Sequence, residues 1–213
     1  MSGSEHVHSK LLRESARAYL GPLGLTQKGR SRIWLDDQCW WLCVVEFQPS
    51  GFSRASYLNV GCMWLWQEKD YFSFDEGERV GNLHPFENPD QFRVVATTLA
   101  AQAAARVERY RSMFQTVREV SDYYLDRKPT NLWPSFHAAV ACGLVGRVLE
   151  ANRFFAQVLH LSDDDVEWVK AGQTRAAHWR SMVHDTDLFR QNVREAVNRT
   201  RKMLKLSEKN VSF

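Results

Sequence analysis

Much of what identifies an enzyme or a membrane protein at sight is missing from this chain. No apolar run approaches the roughly 18–20 residues that a membrane-spanning helix needs. The opening stretch MSGSEHVHSKLLRES has no apolar middle of the kind a secretory leader carries. GxSxG, P-loop and GxGxxG patterns are all absent, and no two histidines stand in HxxxH or HExxH spacing. Cysteine is scarce, at four. Cys39 and Cys43 stand four apart, but no second pair follows to complete a zinc site. Net charge is small as well: 28 basic against 25 acidic residues leaves +3, far from a strongly basic nucleic-acid domain. These absences point to a cytosolic chain with reduced cysteines, no metal, no cofactor and no membrane.

What is present is unevenly placed. Eight of the eleven glycines precede Pro89. Glycine marks turns and weakens helices by about 1 kcal/mol against alanine, so a turn-rich part is expected over 1–88 and a helical part over 89–213. Five of the eight tryptophans, Trp34, Trp40, Trp41, Trp64 and Trp66, also fall before Pro89.

Apolar spacing predicts a helix over 5–20, capped by Ser4 and stopped by Gly21-Pro22. Strands are expected at Gln27 to Leu35, Cys39 to Phe47 and Ser56 to Trp66, with turns at Asp36-Asp37-Gln38 and Pro49-Ser50-Gly51. A shorter fourth strand is expected within Tyr71 to Leu83. Successive hairpins make an antiparallel sheet. From Asn88-Pro89-Asp90 a stripe through Phe92, Ala96, Leu99, Ala103, Val107, Tyr110 and Phe114 predicts a long helix, broken near Ser112. Pro134 to Val145 and Leu149 to Leu159 form a helical hairpin. Ser162 with three aspartates starts another helix, and Thr186 to Leu206 forms the last. The fold class is α+β: an N-terminal helix, an antiparallel sheet of about four strands, then a mostly helical C-terminal half.

Several elements of the first part resemble one family. Leu20-Gly21-Pro22-Leu23-Gly24-Leu25 followed by Thr26-Gln27-Lys28-Gly29-Arg30 is similar to a helix-to-strand junction in which a basic segment follows an "LGF" element. Val44-Val45-Glu46-Phe47-Gln48-Pro49-Ser50, Tyr57-Leu58-Asn59-Val60-Gly61 and Glu78-Arg79-Val80-Gly81-Asn82-Leu83 follow in the same order. Together they resemble the domain of unknown function 4304 family. Leu25 in place of an aromatic, Pro49, and the long helical second half depart from its pattern. The resemblance implies a small bacterial α+β domain of unassigned activity, and it supplies no catalytic residue.

Candidate site residues follow from polarity in apolar surroundings. Gln48, Asn59 and Arg79 sit in or beside apolar strands. A buried polar group without a partner costs about 1–3 kcal/mol, so the three either form a hydrogen-bonded network or line a cleft. Neighbouring Trp40 and Trp41 point to opposite sheet faces, so an aromatic surface with Trp34, Arg30 and Arg32 is a candidate for a protein partner. The C-terminal helix is basic, with Arg199, Arg201 and Lys202 as nucleic-acid candidates. The leading expectation is a non-catalytic bacterial binding module for a protein partner, in toxin immunity or defence. One alternative is an enzyme or nucleotide- or small-ligand-binding protein with a pocket on the sheet. The other is nucleic-acid binding through the basic helix.

Overall fold

A computed structural model describes residues 3–161 and 166–213. The expected cap at Ser162 to Asp165 lies outside the described residues. The fold is α+β, with an N-terminal helix, an antiparallel sheet and a mostly helical remainder. The chain divides into two compact units. One comprises residues 1–63 and 71–112, the other residues 64–70 and 113–213. The division does not fall at Pro89, because the first long helix of the second half clusters with the sheet.

In the first unit, helix α1 (Gly3–Leu20) buries Leu11, Leu12, Ala16 and Leu20, the stripe expected from the spacing. Ser4 lies within this helix rather than before it. The sheet holds five strands rather than four: β1 (Thr26–Gln27), β2 (Ile33–Asp37), β3 (Trp41–Pro49), β4 (Ala55–Trp64) and β5 (Glu76–Pro85). They follow one another across the sheet in chain order. The expected strand over 27–35 is two strands, because Gly29 takes a left-handed φ of 56° and turns the chain. Asp36 and Asp37 belong to β2, paired with Cys43 and Leu42. The β2–β3 turn therefore comes two residues later, at Gln38-Cys39-Trp40, with Cys39 at φ 75° and its N–H donated to Asp37 Oδ1. β5 is as long as β4, and its register slips opposite Ser56 to Leu58, where Gly81 sits at φ 69°. Gly61 and Gly77 face each other; a Cβ on Gly61 would lie 2.5 Å from the Glu76 carbonyl oxygen.

Side-chain alternation gives the sheet two unlike faces. Trp34, Asp36, Cys43, Val45, Phe47, Ser56, Leu58, Val60 and Val80 share one, and all are buried. Helix α2 (Pro89–Met113) and α1 meet this face. His8 bonds Ser56 at 3.3 Å and stacks edge-on against Phe92. Arg111 grips Asp36 with Nε and Nη2 at 2.8 and 2.7 Å and donates also to the Leu23 carbonyl. The bond to Asp36 holds the Arg111 guanidinium above its ordinary value. Burial pushes the thiols of Cys43 and Cys62 up, which leaves them as small apolar groups.

The second unit is built around α4 (Leu132–Leu144), buried along nearly its whole length. Helices α3 (Val117–Arg127), α5 (Val148–Leu159), α6 (Glu167–Met182) and α7 (Thr186–Met203) all contact it. Gly143 admits the Phe189 ring and Gly172 admits Leu132; a Cβ at either would come within 2.8 Å of those side chains. The break near Ser112 comes between α2 and α3. Thr116 caps α3 in a reciprocal capping box with Glu119. The stretch Trp64–Asp70 leaves the sheet and joins the helices. Trp64 and Trp66 stack in parallel with centroids 5.2 Å apart. Trp64 Nε1 donates to the Tyr124 hydroxyl and Trp66 Nε1 to His137 Nδ1. An indole N–H can only donate, so His137 accepts at Nδ1 and carries its ring proton on Nε2.

Candidate functional site

The sheet face opposite α1 and α2 carries the polar candidates. Glu46 and Gln48 alternate on β3, Tyr57 and Asn59 on β4, and Arg79 pairs across from Asn59 on β5. Alternation puts Glu46 and Gln48 on the same side of β3 as buried Leu42 and Val44, and Asn59 on the same side of β4 as buried Met63, so the polar residues gather at one end of this face. Asn59 donates from Nδ2 to Gln48 Oε1 at 2.9 Å and to Glu46 Oε2 at 3.1 Å. Its own Oδ1 accepts from Arg79 Nε at 3.2 Å, and Gln48 Oε1 accepts from Arg79 Nη2 at 3.0 Å. The guanidinium lies 4.1 Å from the centre of the Tyr57 ring.

This is an organised cation. Two amide oxygens fix the plane of the fork, and an aromatic face supports it by cation–π attraction. Arg79 itself is exposed. Glu46, the acid of the network, is engaged by Asn59. Among the described residues no carboxylate pairs with Arg79, so its positive charge and the donors on Nη1 face outward. Exposed apolar side chains lie on neighbouring stretches. Phe52 stands fully exposed in the β3–β4 loop, Leu83 sits in the irregular part of β5, and Phe74 lies beside Gly61.

The structure brings together Gln48, Asn59 and Arg79 and separates the other candidates from them. The tryptophan surface does not form: Trp34, Trp40, Trp41, Trp64 and Trp66 are all buried. Trp34 offers no ring to a partner. Arg30 is exposed in the turn between β1 and β2, while Arg32 is half-buried and donates to Ser9 Oγ at 2.8 Å. Of the basic helix, Arg201 is buried and donates to the Ser207 carbonyl, which removes it from any nucleic-acid surface. Arg199 is bound at both ends of its fork by Glu68, which also raises its pKa. Lys202 remains exposed. Glu46 and Tyr57 belong to the cluster yet escape a reading of polar residues taken singly. Each stands two places from a predicted member, a signal the strand period supplied.

Among the described residues no helix is long and apolar enough to cross a membrane. No family model, curated protein or solved structure matches the chain.

Proposed function

We propose that the protein is a binding module for a protein partner, and that the face around Arg79 receives an acidic side chain of that partner. One observation carries this: a guanidinium held in place by neutral amides and an aromatic ring, with no carboxylate of its own. Arginine so fixed loses little freedom when a carboxylate binds both of its nitrogens. Arginine and aromatic side chains dominate the binding energy of protein interfaces, and here the Tyr57 ring lies against the guanidinium. Gln48 and Asn59 direct their polar atoms at each other and at Arg79, which makes them positioning residues rather than ligand contacts. That favours a partner's protruding carboxylate over an enzyme substrate enclosed by all three. The elements meeting here are those that resemble the domain of unknown function 4304 family, and they support membership of it. A place in a bacterial cytoplasm, in toxin neutralisation or defence, fits a module with this surface.

Affinity capture from a bacterial lysate with the full chain as bait tests the reading. The wild type should retain one partner in stoichiometric amount. Arg79→Glu should weaken that complex by about 2 kcal/mol or more. Absence of any stoichiometric partner, or one held equally by Arg79→Glu, rules the reading out.

A further inference from the structure

A second guanidinium is held by an amide in the helical unit, away from every group used above. Between α5 and α6 lies a hollow of about 510 Å3, lined by Asn152, Leu159, Ala177, Arg180, Ser181 and His184. That volume is in the range of small-molecule sites, about 300–1,000 Å3. Ala177, Arg180 and Ser181 recur at helical spacing on α6, and His184 follows in the turn after it, where it also lines the hollow. Arg180 Nε donates to Asn152 Oδ1 at 3.2 Å, and Asn152 Nδ2 is tied back to the Val148 carbonyl at 3.1 Å. The amide thus takes the Nε–H of the guanidinium, and Arg180 lines the hollow.

Among the described residues no carboxylate lines the hollow, and none pairs with Arg180 or His184. Basic residues near a helix C-terminus often answer the helix's own carbonyls. Arg180 instead reaches across to α5. The described lining carries a cationic guanidinium and no acid, so the complement of this hollow is an anion. A planar carboxylate would fill its two oxygens on the Arg180 fork alone. A tetrahedral oxyanion can take both Nη groups and the His184 ring N–H at once. Ser181 Oγ donates to the His178 carbonyl at 2.7 Å, so it offers a ligand hydroxyl an acceptor. Leu159 and Ala177 supply an apolar wall. We propose that this hollow binds a small phosphomonoester, its phosphoryl group on Arg180 and His184 and its organic part against Leu159 and Ala177.

Phenyl phosphate titrated into the isotope-labelled full chain tests this by amide NMR, with benzoate as the carboxylate of similar size. Phenyl phosphate should shift the amides of Ser181 to His184 in a saturable way. Arg180→Gln should weaken binding by about tenfold or more. Asn152→Asp should do the same, because it gives Arg180 a carboxylate with almost no change of shape. Lys170→Gln, which removes a charge elsewhere on α6, should stay within about twofold, since distant surface charges are screened. No saturable shift, equal binding by Arg180→Gln and Asn152→Asp, or benzoate binding as tightly as phenyl phosphate would each overturn the assignment.

Discussion

Asp36 and Tyr110 show how single side chains set the behaviour of the sheet unit. Asp36 is buried on β2 and held by both nitrogens of Arg111, whose side chain remains about a third exposed. Removing one partner of a buried pair leaves the other unsatisfied. Asp36→Ala should therefore lower stability by about 2–3 kcal/mol, less than for a fully enclosed pair because water still reaches Arg111. Urea unfolding of the two proteins measures it. Tyr110 is buried, and burial together with the nearby Cys62 and Glu78 pushes its phenol up from 10 to about 12. The folded value lies above the ordinary one, so the stabilisation is whole below pH 10 and fades as pH rises toward 12. An absorbance titration should show a component with a midpoint near 12 that is missing in Tyr110→Phe. The variant should also lose part of the fall in stability above pH 10.

At the scale of elements, the decisive feature is the stretch that runs out of β4. A strand was expected to continue through Trp66, and its alternation of large apolar residues supported that. Instead pairing ends at Trp64, and residues 64–70 join the helices, where Trp66 meets His137 and Arg199 meets Glu68. Trp66→Phe would remove the indole donor to the Nδ1 of buried His137. A cost of about 1–3 kcal/mol follows from the lost bond, and the smaller phenyl ring adds the cost of the cavity it leaves. Thermal unfolding followed by near-ultraviolet circular dichroism reads the loss of this stack. Other element ends were legible because their chemistry is local. The stripe of α2 and its break near Ser112 could be read directly, since a 3.6-residue period and a termination need no distant partner. The capping box at Thr116 belongs to the same class and could have been read from its spacing.

For the molecule as a whole, the interleaving of the units matters most. Residues 1–88 contain every strand but lack α2, which supplies Arg111 to Asp36 and Phe92 to His8. They also carry Trp64 and Trp66 without Tyr124 and His137. A fragment ending at residue 88 should therefore not fold cooperatively, whereas the full chain should. Amide hydrogen exchange of the fragment checks this: protection of β3 and β4 comparable to the full chain would refute it. The boundary near Pro89 was visible as a change in glycine content. That change marks where strands give way to helices, and composition carries no record of which helices close over which sheet.

The sequence by itself determined the class of fold, most helix positions and, within the Arg79 cluster, Gln48, Asn59 and Arg79 but not Glu46 or Tyr57. Each of these follows from a short-range period or from a polar residue set among apolar ones, and such signals are complete within a few neighbouring positions. Tertiary structure alone decided the rest. It buried all five tryptophans of the strand region, because alternation says which face a ring occupies and not what covers that face. It paired Arg199 and Arg201 with groups far away or folded back, because a charge count cannot tell a partnered cation from a solvated one. It left Arg79 outward and, among the described residues, without an acid, because only the assembled sheet shows that the two amides beside it are spent on holding it.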